Sequence, residues 1–299
     1  MTRRRKILIS SGLLILLLVF GGLCWYKAKL PVENQTYVLQ GDRFTSVGKI
    51  ANRAKSTPTI YLHGWGASGR STAGMIAYAV KHDHARKVLT VTVQKNGKIH
   101  LQGNWPKTVK RPIIQVVMQD NKNSDYFTTS NWIYHLMLLL KQKYHIKQYN
   151  TVAHSMGNLT LAYYQERYGA KQSLPKLVKQ VNLGGHFAGI IGIDDQVNHN
   201  YLQKNGCPRY LNDTYRYLLR HRENFPTDVQ VLNIYGNKQD GTNSDGSVSV
   251  VSARSLRYLL HGKTRKYEEV EIKGADGQHS KLHENPHVNR RIGWFLWPK

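Results

Sequence analysis

A single α/β domain, with a mainly parallel sheet covered by helices on both faces, is the fold class this sequence predicts. Short apolar runs alternate with longer amphipathic stretches, the pattern of strands joined by crossover helices. No internal repeat or low-complexity tract interrupts that order, and 299 residues with 40% hydrophobic side chains suffice for one sizeable core.

The elements follow in order. Thr59-Ile60-Tyr61-Leu62 reads as the first strong strand, followed by a Gly-rich loop and a helix over Ser71 to Val80. Val88 to Gln94 and Ile99 to Gln102 alternate around Asn96-Gly97, which suits the tight turn of a hairpin. Ile113 to Met118 is an apolar strand, and Trp132 to Leu140 lies in a helix with a broad apolar face. Tyr149 to Ala153 is a short strand and Asn158 to Tyr168 a helix. Leu177 to Leu183, Val229 to Tyr235 and Tyr267 to Ile272 are further strands, with helices at Ser252 to Leu260 and near Val288 to Phe295. The segment from about 186 to 226 is longer than a crossover needs. It carries Tyr201, Tyr210, Tyr215 and Tyr217 and reads as an inserted cap, with ordinary surface packing as the plainer alternative.

The N-terminus stands apart. Residues 1–6 form a basic tail, and the uncharged run at 7–26 would reach about 30 Å as a helix, the thickness of a bilayer core. A cleaved signal peptide is the rival, but its apolar region spans about 7–15 residues and ends at small residues, whereas this run exits through Trp25-Tyr26-Lys27. Lipidation at Cys24 is disfavoured by Leu23 before it. An uncleaved transmembrane anchor is therefore expected, with a stalk at 27–35 and the folded domain at 36–299. Arg3, Arg4, Arg5 and Lys6 precede the anchor and only Lys27 and Lys29 follow it, which places the N-terminus in the cytoplasm and the domain outside the cell.

Net charge is +25, of which those six basic residues supply 6, leaving +19 for the exterior part. Such a domain is drawn to polyanions. Zinc-ligand spacing, a basic heptad helix and an aromatic RNA-binding signature are all missing, so specific nucleic-acid binding is not expected. Anionic lipid headgroups or cell-envelope polymers fit better. Cys207 alone remains beyond the anchor, which excludes an intradomain disulfide.

Ser155 lies between a strand and a helix with Ala153 two residues before and Gly157 two after. In a nucleophile elbow the serine occupies a strained turn and the flanking positions must be small. Alanine replaces the first glycine of that pattern but meets its size requirement. The loop His63-Gly64-Trp65-Gly66-Ala67-Ser68-Gly69 lacks the lysine of a phosphate-binding loop. It can instead bring the Trp65 N–H, with that of Met156, to a developing oxyanion. A serine needs a base and an orienting acid, which follow in the order Ser, acid, His at later strand ends. Asp240 and Asp245 follow the strand at 229–235, and His279, His283 and His287 follow the strand at 267–272. Asp245 is preferred because it directly precedes the stretch leading into the next helix, with Asp240 as alternative; in both, Asp-Gly also suits a turn. His279 is preferred as base because it lies closest to its strand, with His283 as alternative. His283 and His287 read more readily as solvent-facing or helix-start residues, and His63 and His154 as structural. A calcium loop is excluded because its first and twelfth positions would be Gly241 and Ser252. Histidine spacing argues against a catalytic metal.

The residues HGWGASGRS at 63–71, AHSMGN at 153–158, DGTNSDGSVSVVSARSL at 240–256 and QHSKLHENPHV at 278–288 resemble the α/β-hydrolase superfamily. More closely, they are similar to membrane-anchored surface hydrolases of uncharacterised function from low-GC Gram-positive bacteria. The resemblance implies an α/β-hydrolase fold over 36–299, Ser155 as nucleophile, Asp245 as acid, His279 as base, oxyanion amides from Trp65 and Met156, and no cofactor. Ser249 stands where relatives often carry proline. The expected activity is that of an extracytoplasmic serine hydrolase on an ester or other acyl bond, esterase- or lipase-like. Acyl transfer through the same residues and a non-catalytic cationic module that binds envelope polymers are the alternatives.

Overall fold

The computed structural model describes residues 33–298. The basic tail, the expected anchor at 7–26 and residues 27–32 of the expected stalk lie outside the described residues, among which no helix is long and apolar enough to cross a membrane.

The first strands are β1 (Glu33–Tyr37), β2 (Leu39–Gln40) and β3 (Arg43–Phe44), the last two pairing only with each other. They are followed by β4 (Thr59–Leu62), β5 (Arg86–Val93), β6 (Ile99–Gly103), β7 (Pro112–Met118), β8 (Gln148–His154), β9 (Lys176–Leu183), β10 (Val229–Asn237) and β11 (Thr264–Lys273). The nine-stranded sheet has the order β1-β6-β5-β7-β4-β8-β9-β10-β11. Neighbours from β5 through β11 are parallel, whereas β6 is antiparallel to both β1 and β5. This is the mainly parallel sheet the sequence predicts. The hairpin forms as expected, with Val93 opposite Ile99 and Gly97 at φ 78° in its turn.

The helices are α1 (Gly69–His82), α2 (Tyr126–Tyr144), α3 (Met156–Tyr168), α4 (Asp213–His221), α5 (Val250–Arg254), α6 (Leu256–Leu259) and α7 (Pro286–Leu296). Several of their starts are set by short polar side chains. Asp125 accepts from the Phe127 N–H at α2, Asn212 from Tyr215 at α4 and Asn285 from His287 at α7. Alternating side chains of the strands feed two cores. Ile60 and Leu62 of β4 join Leu136 and Leu140 of α2 and Leu159 of α3, while Tyr61 points the other way, to Met75 of α1 and Val288 and Ile292 of α7. Each face of the sheet is thereby sealed by its own helices.

Strand order reverses at β4: the chain leaves it for β5 and β7 on one side and returns through β8 on the other. In such sheets the carboxyl ends of the strands at the reversal open a crevice. The loop after β4 and the turn after β8 both emerge there.

Two local differences from expectation have physical causes. Residues 33–35, assigned to the stalk, already pair with β6, because a polar strand on a sheet edge carries no apolar pattern. The helix expected over Ser252 to Leu260 is two short helices meeting at Ser255, whose hydroxyl donates to the Ser252 carbonyl. Within the segment at 186–226, Tyr215 is buried and donates to the Ser255 carbonyl, Tyr217 stacks on Tyr163 at 4.6 Å, and Tyr201 and Tyr210 are exposed. Its tyrosines thus divide between packing and surface.

Candidate active site

Ser155 follows β8 directly and has φ 52° and ψ −125°, a conformation costly for any residue with a side chain. As the residue before α3 it could cap that helix, yet its hydroxyl makes no capping bond. The turn is held by its backbone. The Ser155 N–H donates to the Leu183 carbonyl at 2.9 Å, and the buried Asn158 carboxamide donates to the carbonyls of Ser155 and Leu183, both at 3.0 Å. Small neighbours are required here for a visible reason. A Cβ at Gly157 would lie 2.7 Å from the His63 carbonyl oxygen, and one at Gly64 would lie 2.9 Å from Ser155 Cβ. The loop after β4 is therefore packed directly against the serine.

That loop is tied down from the other side. The Trp65 indole donates to the Lys122 carbonyl at 3.0 Å and the Gly66 N–H to Asn121 at 2.8 Å. The Trp65 ring is 58% exposed, whereas Met156 is buried. Neither residue's backbone N–H donates to another described residue.

Asp245 and His279 are brought together by β10 and β11. His279 Nδ1 lies 2.7 Å from Asp245 Oδ2, and the His279 N–H donates to the Asp245 carbonyl at 2.9 Å. The other carboxylate oxygen accepts from the N–H groups of Ser247 and Val248 at 2.9 and 2.7 Å. Asp245 is 1% exposed, so burial is compensated by hydrogen bonds on both oxygens. Close approach again depends on glycine: a Cβ at Gly236 would overlap the Gly277 carbonyl. A Cβ at Gly184 would sit 3.0 Å from the His279 ring and 3.3 Å from Asp245 Oδ2, which puts the end of β9 against the pair.

The alternatives separate clearly. Asp240 is in an exposed turn, with one oxygen 2.7 Å from Lys238 Nζ and the other accepting from Thr242, and these partners hold its carboxyl well below its ordinary range. Among the described residues it bonds to no histidine, whereas Asp245 does. His283 is buried and not solvent-facing as expected, its ring edge-on to His154 at 4.7 Å. Burial pushes its imidazole down, and no carboxylate bonds to it. His287 begins α7 as anticipated.

His63 and His154 are structural, as their sequence positions suggested, but in an informative way. The Met118 N–H donates to His63 Nε2 at 3.0 Å, leaving Nδ1–H for the Gly64 carbonyl at 2.8 Å and joining the β4 loop to β7. His154 Nε2 lies 3.1 Å from the His279 carbonyl, and the two rings are 4.7 Å apart. Burial holds the His154 pKa well below its usual value, with His279 and His283 adding to the effect, so the neutral Nε2–H donates. Among the described residues, no three His, Cys, Asp or Glu side chains are arranged to hold a metal ion.

Two features escaped sequence reasoning. Asn158 buttresses the serine turn; its signal was a carboxamide in the first turn of an otherwise apolar helix start. His186 is pushed down to about 3, by burial first and His279 second, and its Nε2 lies 3.0 Å from the Tyr126 hydroxyl. Its position two residues beyond Gly184, at the end of the strand beside β8, was the available clue. Ser155, the Asp245–His279 pair and the loop that carries Trp65 thus all follow the carboxyl ends of parallel strands, β8, β10, β11 and β4.

Comparison with solved structures agrees with the fold. The product of the gene lin2722 of Listeria innocua superposes with a TM-score of 0.75 at 28% identity, covering 82% of this chain and 95% of that one. A proposed cell surface hydrolase from Lactobacillus plantarum WCFS1 superposes with a TM-score of 0.66 at 22% identity, covering 82% and 92%. No curated protein matches the chain. A family model described as an alpha/beta hydrolase of unknown function, DUF915, matches residues 49–299, and the chain belongs to that family.

Proposed function

We propose that the protein is a membrane-anchored serine hydrolase whose domain lies outside the cytoplasm and cleaves an ester or other acyl bond. The observation that carries this reading is the 2.7 Å bond between His279 Nδ1 and buried Asp245, at the carboxyl ends of the strands where Ser155 occupies its strained turn. His279 Nε2 takes the Ser155 proton as Oγ attacks the acyl carbon. Asp245 fixes the tautomer and stabilises the imidazolium. The Trp65 and Met156 N–H groups receive the oxyanion. Collapse of the tetrahedral intermediate expels the leaving group, which takes the proton from His279 and leaves an acyl-enzyme. Water, or an alcohol in acyl transfer, then resolves it by the same steps in reverse.

The anchor and the excess of positive charge favour a substrate in or near the envelope, an acylated lipid or envelope component. One structural neighbour is described as a proposed cell surface hydrolase, in keeping with that location.

The test is labelling of the full-length protein, in detergent, with a fluorophosphonate probe, followed by mass spectrometry of the modified peptide. Labelling at Ser155 that is lost in Ser155→Ala is expected. A folded protein that stays unlabelled would instead favour the non-catalytic, polymer-binding module.

A further inference from the structure

Beside the loop that carries Asp245 lies a groove of about 370 Å³, formed where the segment after β9 meets the turn before α5. Gln196, Asn198 and Tyr201 supply one wall, and Thr242, Asn243 and Val250 the other. That size falls within the range of small-ligand clefts, about 300–1,000 Å³. None of its lining residues is charged, on a chain with 43 Lys and Arg against 18 Asp and Glu. The groove is thus a neutral site on a strongly cationic protein.

Its asparagine carboxamides are held in place. Asn198 Nδ2 donates to the Gly241 carbonyl at 2.8 Å, and Asn243 Nδ2 donates to Asn198 Oδ1 at 2.9 Å. Both asparagines have positive φ, 55° and 48°, which this residue type tolerates. Asn243 Oδ1 and the entire Gln196 carboxamide make no hydrogen bond to another described residue, and Tyr201 is 53% exposed. Planar donors and acceptors with spare capacity therefore flank a tyrosine ring and the Val250 side chain.

An anionic ligand would find no cation here, and a wholly apolar one would strand the carboxamides. A sugar has the matching shape of chemistry. Its ring presents C–H bonds on a face, which pack on an aromatic ring, and hydroxyls at the edge, each able to donate and accept. We infer that this groove binds a neutral glycan. The inference goes beyond the proposed acyl chemistry and does not depend on it.

The test uses the full-length protein with Ser155→Ala, in a sugar-free detergent, and saturation-transfer NMR with cellotetraose and with the tetrasaccharide of N-acetylglucosamine. Transfer to ring C–H protons of at least one sugar is expected, with affinity reduced about tenfold or more in Tyr201→Ala or Gln196→Ala. Both side chains are at the surface, so the melting temperature should not move, and fluorophosphonate labelling should persist when the same changes are made with Ser155 intact. No transfer from either sugar at about 10 mM overturns the inference. So does transfer unchanged in both variants, or Tyr201-dependent binding to anionic vesicles in place of sugar.

Discussion

His279 and Asp245 are joined twice, side chain to side chain at 2.7 Å and backbone to backbone at 2.9 Å. The main-chain bond holds the two loops together, and the side-chain bond orients the imidazole on the carboxylate. Replacing Asp245 by Asn keeps the size but loses the charge and the preference for one tautomer. Asp245→Asn should lower kcat about 10³–10⁴-fold on an activated ester. Asp240→Asn, in its exposed turn, should change kcat less than about twofold. Comparable losses in both would reject the assignment.

His154 immediately precedes the serine and donates to the carbonyl of His279, so it couples the serine turn to the proposed base. His154→Phe retains a ring in the same space and removes the donor, stranding a buried carbonyl. It is expected to reduce kcat by about 10- to 100-fold, as small misplacements of reacting groups do, with KM nearly unchanged. Steady-state kinetics with a soluble ester decide the matter: a rise in KM alone would mean a role in binding, not positioning.

Glu166 is buried on α3 with neither carboxyl oxygen bonded to another described residue. Burial pushes its pKa up to about 8, opposed by Lys263 and reinforced by Glu223. In the unfolded chain it titrates near its ordinary 4.5. Between those values the folded state holds a proton that the unfolded state has released, so stability falls as pH rises through the window and levels off above it. Glu166→Gln removes that dependence. Thermal unfolding should show the variant more stable by roughly 3–6 °C near pH 8 and little changed near pH 4. An equal shift at both pH values would point to packing.

Most of the sheet was readable because its strands are buried on both faces and so are written as apolar runs. The elements that sequence missed lack that signature. β1, ENQTY, buries one residue fully, Tyr37, and owes its place to pairing with β6. The strained turn at Ser155 was legible in part, since Gly157 beyond it must be small to clear the His63 carbonyl. The proposed acid and base could be read only as short sets of candidates. Asp240 and Asp245 both precede glycine, and what separates them is tertiary: the N–H groups of Ser247 and Val248 hold one carboxylate inward while Lys238 holds the other outward. His283 was misjudged as exposed because nothing nearby in the chain announces the His154 ring that covers it.

The backbone of Ser155, at φ 52°, has a consequence for how the molecule balances durability against use. Glycine reaches that conformation without penalty, whereas serine carries a Cβ that resists it. Ser155→Gly should therefore melt at a higher temperature than the native chain, by about 2–4 °C for each kcal/mol of strain released, although it removes the only atom at that position able to attack a carbonyl. If Ser155 is the nucleophile proposed here, its unfavourable torsion is where this chain gives up endurance for reactivity.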